Sequence, residues 1–100
     1  MARYVVNLVR ASVKVKKPKI YVKAIPLLDL SDIENIKAEA EGGHILIIKI
    51  TPLAKKSVED TKEAINRLKE YILMLGGDIA RLGEERILIT PSTVKIWRGK

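Results

Sequence analysis

From Ser57 to Leu75 the apolar residues Val58, Ile65, Leu68, Ile72 and Leu75 fall on one stripe. Glu59, Asp60, Lys62, Glu63, Asn66, Arg67, Lys69 and Glu70 take the other side. That division predicts one long amphipathic helix with a single buried face. Ser57 followed by Asp60 supplies an N-cap of the capping-box kind, and Gly76-Gly77 supplies a left-handed stop. Beyond the stop, Asp78–Leu82 and Glu85–Ile89 read as a hairpin joined through Gly83-Glu84. Thr90-Pro91-Ser92 then turns the chain into a last strand, Thr93–Trp97.

Upstream, Lys19–Ile25 alternates like a strand, with Ile20, Val22 and Ala24 on one face and Pro26 ending it. Ser31-Asp-Ile-Glu34 is a full capping box opening a helix over Asp32–Glu41, and Gly42-Gly43 closes that helix. His44–Thr51 is apolar on both faces, which places it mid-sheet. Its links to the first and third strands pass through helices, so parallel crossovers to both are expected. The sum is β-α-β-α-β-β-β: an α+β fold, a two-layer α/β sandwich of a five-stranded mixed sheet and two helices.

Charge divides the chain differently. Arg3, Arg10, Lys14, Lys16, Lys17, Lys19 and Lys23 face no acid over residues 1–24, and the remaining basic and acidic side chains cancel, so residues 1–24 carry the whole net charge of +7. Lys17-Pro18 marks the boundary between an arm, residues 1–18, and a core domain, residues 19–100. Arg3, Asn7, Arg10, Lys14 and Lys17 recur at helical steps, and Tyr4, Val5, Leu8 and Val9 fill the apolar side. Such a segment suits a membrane surface, with Arg3, Tyr4, Val5, Leu8, Arg10, Lys14, Lys16 and Lys17 as its membrane or anion contacts. The β-branched Val5, Val6, Val9, Val13 and Val15 favour a strand instead, and both readings stand at this stage. A basic arm also fits nucleic acid, the alternative partner class.

Candidate chemistry changes the picture by what is missing. With 47% hydrophobic and 31% charged residues the chain is expected to fold as one domain of 100 residues. Without Cys there is no thiol catalysis, disulfide or thiolate metal site. The lone His44, beside a Gly-Gly turn, has no second His, Cys or acidic cluster with it, and no serine sits in a nucleophile motif. No catalytic residue, metal site or cofactor is expected, and a binding protein is favoured over an enzyme. With no signal segment and no run of about 20 apolar residues, the expected address is the cytoplasm, with a peripheral position on the inner membrane face if the arm binds lipid. Many Ile and charged residues without Cys or Gln resemble a thermophile's habits.

The segment Leu73-Met-Leu-Gly-Gly-Asp-Ile-Ala-Arg-Leu-Gly-Glu-Glu-Arg-Ile-Leu-Ile-Thr-Pro-Ser-Thr-Val-Lys-Ile96 resembles the C-terminal core of the SepF family of cell-division proteins. Ile20–Ala24, the Asp32–Gly42 helix and Ile45–Ile50 match that family's other elements in order and spacing, so the resemblance spans roughly Lys19 to Trp97. It implies a homodimer or higher oligomer and an adaptor role. An amphipathic N-terminal segment would hold the core at the membrane, while the core binds the C-terminal tail of the tubulin-like GTPase FtsZ. The family's peptide-binding Lys and Phe correspond to Arg81 and Ile87, where Arg keeps the charge and Ile removes the aromatic. The long helix would supply the dimer interface, through Leu68, Ile72 and Leu75. There the family's D-F-L-x-G is replaced by Asn66-Arg-Leu-Lys-Glu70, without its Phe or Gly. A SepF-fold interaction domain with another partner is a further alternative.

Overall fold

The computed structural model describes residues 19–99. Four strands, β1 (Val22–Pro26), β2 (Ile45–Lys49), β3 (Asp78–Leu82) and β4 (Arg86–Thr90), form one sheet in the order β1-β2-β4-β3. Three helices, α1 (Asp32–Glu41), α2 (Thr51–Lys56) and α3 (Val58–Met74), make the second layer. The sheet is mixed: β1 runs parallel to β2 through the α1 crossover, while β2–β4 and β3–β4 are antiparallel.

Register explains which side chains meet the helices. Leu46 pairs with Ile89 and Ile48 with Ile87, and all four are buried. Ile33, Ile36 and Ala40 of α1 and Ala64, Leu68 and Ile72 of α3 close over them, at the three- and four-residue spacing of a helix face. The next residues along, alternating to the other side, form the row Ala24–Ile47–Leu88–Ala80, and no helix among the described residues covers that face. The two-layer architecture and the central, largely apolar β2 agree with the sequence pattern.

Several elements differ from it. Among the described residues there are four strands, not five. Past Pro91 the chain crosses the end of the uncovered sheet face, where the Thr90 hydroxyl donates to the Val94 carbonyl (2.8 Å) and the Ile96 amide donates to the Asp78 carboxylate (3.3 Å). Its backbone is thus tied to side chains and turn groups instead of to a ladder, so Thr93–Trp97 is not a strand. The described residues hold three helices, not two: Pro52, whose missing N–H and fixed φ suit a first turn, starts α2 where the apolar run suggested continued strand. β2 meets β4, not β3, so only one of the two expected parallel pairings forms.

The helix ends divide as well. Ser57 caps α3, accepting from the Asp60 amide at 3.0 Å. Ser31 makes no such bond, because the chain is already helical there (φ −66°, ψ −17°). Asp32 instead reaches back with Oδ2 to accept from the Leu28 and Asp29 amides (2.8 and 3.1 Å). At the end of α3, Gly76 (φ +82°) donates to Leu73 and Gly77 to Ile72, the paired bonds of a Schellman stop.

Candidate peptide-binding site

β3 is an edge strand, and α3 runs alongside it. Ile65 and Lys69, four residues apart on α3, face Ile79, Arg81 and Ile87 across a groove of about 170 Å³. The floor is aliphatic, Lys69 and Arg81 stand at its sides, and no carboxylate lines it. Arg81 and Ile87 are direct partners in the β3–β4 ladder and so share the helix-side face. The structure therefore brings together the two residues singled out from the sequence, in unequal roles. Arg81 is exposed; its Nη2 donates to the Glu84 carbonyl at 3.1 Å and its Nε reaches the Gly83 carbonyl at 3.5 Å. Ile87 is 1% exposed and packs into the core, so it supports the groove from beneath and is not a contact open to a partner.

The outer edge of β3 is partly occupied. Arg98 Nη2 donates to the Ile79 carbonyl at 3.1 Å, and the Ile79 amide donates to Asp78 Oδ1 at 3.0 Å. By the two-residue repeat of a strand, the N–H and C=O of Arg81 point to this same edge. The groove thus offers a cationic rim, an aliphatic floor and a backbone pair of the sort an added strand takes up.

The expected dimer residues land elsewhere. Leu68 and Ile72 are 0% and 1% exposed, packed against the sheet of their own chain, and cannot meet a second copy. The same stripe that predicts an amphipathic helix predicts a buried face, and here the chain's own sheet buries it. Leu75, past the last turn, is 39% exposed. Val58 also lies outside the core, being exposed at the first turn. Arg3, Tyr4, Val5, Leu8, Arg10, Lys14, Lys16 and Lys17, expected to contact membrane or anions, lie outside the described residues. Among the described residues no cluster of His, Asp and Glu could hold a metal, and no helix is long and apolar enough to cross a membrane. His44 is engaged at the sheet end, its Nδ1 accepting from the Tyr21 amide (3.2 Å).

Lys69 was not among the candidates drawn from sequence. Its signal was present, since it follows Ile65 by one turn on the side of α3 next to the buried stripe, but only the position of β3 gives that side a neighbour.

A single mixed sheet with helices on one face, an open edge and a charged aliphatic groove defines a small α+β binding domain. The match with the family model "Cell division protein SepF" runs over residues 22–96, and the chain belongs to that family. A SepF-like protein from Pyrococcus furiosus superposes with a TM-score of 0.74 at 27% identity, over 83% of this chain and 100% of that one. A SepF-like protein from Archaeoglobus fulgidus gives 0.65 at 26%, over 81% and 96%. An uncharacterised protein of Methanocaldococcus jannaschii is 33% identical over 82 residues, which is 82% of this chain and 55% of that protein. The chain therefore spans about half the length of that curated relative. That family is described as one of cell-division proteins.

Proposed function

We propose that this chain is a non-enzymatic division adaptor whose α3–β3 groove takes the C-terminal tail of an FtsZ-like GTPase. The observation that carries this reading is Arg81, held on the carbonyls of the Gly83–Glu84 turn above an aliphatic floor with no carboxylate beside it. An extended peptide with one apolar side chain and one carboxylate fits that chemistry: the side chain on Ile65 and Ile79, the carboxylate between Lys69 and Arg81, its backbone along the edge of β3.

The arm supplies the second half of the reading, as a basic, apolar-sided segment drawn to an anionic membrane surface. Self-association is the third part. With Leu68 and Ile72 internal, the surface suited to a second copy is the uncovered sheet face around Ile47 and Leu88. Nucleic acid is the weaker partner, because the described residues hold thirteen basic and twelve acidic side chains and so add almost no net positive charge to that of the arm.

The test is fluorescence anisotropy of a labelled FtsZ C-terminal peptide titrated with the full chain, beside Arg81→Glu and Lys69→Glu. Saturable binding lost in both variants supports the groove. No binding by a folded wild-type chain overturns the tail reading. Sedimentation velocity on Ile47→Lys reports the self-association surface: a wild-type dimer that the variant does not form is the expected result.

A further inference from the structure

One end of the molecule gathers most of its exposed large apolar side chains. The start of β1, the start of β2 and the end of β4 lie together there, as the Val22–Ile45 and Leu46–Ile89 pairings require. α1 and α3 both end on the same side: Gly43, Leu75, Gly77 and Pro91 line one cavity of about 180 Å³. At this end Ile20, Tyr21 and Val22, the run Leu73–Leu75, and Trp97 at 84% exposed all stand in solvent. Only Leu28, Val58 and Leu82 are comparably exposed elsewhere among the described residues. Residues 1–18, with their cations and no acid, join the core at Lys19, at this same end.

We infer that this end of the core is itself a seat for an anionic lipid surface, set down beside the arm. The inference rests on the proposed membrane role of the arm and adds a second contact to it. Tyr21 and Trp97 have the amphipathic rings that settle at a membrane–water boundary, and Leu73–Leu75 supplies aliphatic depth. The local charge does not oppose it: Lys19 and Lys95 are exposed, Glu39 is paired with Lys23 (2.6 Å) and Asp78 with Arg98 (3.0 Å), and Glu41 and Glu70 are the acids there outside an ion pair among the described residues. The geometry agrees too. Arg81, bound to the β3–β4 turn, lies toward the opposite end of its strand from Asp78, so a core seated this way keeps the Arg81 side of its groove away from the lipid.

Trp97 is the sole tryptophan, and its emission reports the seat directly. The full chain is titrated with phosphatidylglycerol–phosphatidylcholine vesicles, with and without brominated acyl chains, and vesicle-bound protein is measured by sedimentation in parallel. The expected result is co-sedimentation together with a shift of Trp97 emission to shorter wavelength and quenching by the brominated chains. Trp97→Ser and Met74→Glu, both at exposed positions that the fold does not need, should bind vesicles about tenfold more weakly, and Trp97→Phe should restore most of the affinity. Co-sedimentation with unchanged Trp97 emission overturns the seat while leaving the arm's role intact. No co-sedimentation overturns both. A blue shift that grows with protein concentration without lipid assigns this end to a second copy and also overturns the proposal.

Discussion

Asp78 holds Arg98 in a two-point clasp, Nη1 to Oδ2 at 3.0 Å and Nη2 to Oδ1 at 3.1 Å, while Oδ2 also accepts from the Ile96 amide. A carboxylate at the first residue of an edge strand thereby fixes the course of the C-terminal segment across the sheet end.

That clasp has a pH signature. The Arg98 guanidinium, helped by the Ile96 and Ile79 amides, holds the Asp78 carboxyl at about 2, below its ordinary 3.8, against partial desolvation. Because the folded value is depressed, the stabilisation is complete above the unfolded value and fades as pH falls from about 4 toward 2. Thermal melts across that range should show a larger loss in the wild type than in Asp78→Asn, which keeps only the contribution of groups such as Glu39, also lowered by its Lys23 bond, and is already lower at pH 7.

Gly77 leaves no room for a side chain. A Cβ there would lie 2.4 Å from the Thr90 carbonyl oxygen, a backbone atom that cannot step aside. Gly77→Ala should destabilise by about 2–3 kcal/mol, read as a Tm lowered by roughly 10–20 °C. Gly83→Ala, at φ +74° but with open space around it, should lose only about 1 kcal/mol.

Two serines with the same sequence signature should behave differently. Ser57→Ala removes a real cap and should lower stability by about 1 kcal/mol. Ser31→Ala should change it by less than about 0.5 kcal/mol, as a surface substitution does. Asp32→Ala, which frees the Leu28 and Asp29 amides, should reproduce the loss seen at Ser57. Denaturant midpoints of the three variants measure this.

Arg81 and Ile87, neighbours in the ladder, should separate function from folding. Ile87→Ala empties a fully buried site and should lower stability by about 2–5 kcal/mol. Arg81→Glu should leave the melt within about 0.5 kcal/mol of wild type while abolishing peptide binding. If the two variants lost stability equally, Arg81 would be a structural residue and the groove reading would fail.

Much of this was legible in the residues. The α3 stripe, its Ser57 cap and Gly-Gly stop, the β3–β4 hairpin and the central β2 are local patterns, and they form where the patterns lie. What was not legible depended on neighbours. The alternation Val94–Ile96 is strand-like, but a strand needs a free edge, and the course from Thr90 to Asp78 leads the chain over the sheet end instead. Leu68 and Ile72 look alike whether a partner or the chain's own sheet buries them. Ile45–Ile50 reads as buried on both faces, yet only Leu46, Ile48 and Ile50 are buried in the core, because hydrophobicity does not say which chain will cover it. Arg81 came from family resemblance, and Lys69 only from the packing of α3 beside β3.

The strand order has a mechanical consequence. The arm joins the outermost strand, β1, while the groove lies along the strand at the other edge, β3. Tension between a tethered arm and a peptide held in the groove would pass through β1, β2, β4 and β3 in turn, directed along the strands. Each ladder would then bear load in shear, its hydrogen bonds sharing the force together instead of opening one at a time. A sheet of four short strands placed in series in this way acts as a tie bar, with the single layer of helices riding on it outside the line of pull.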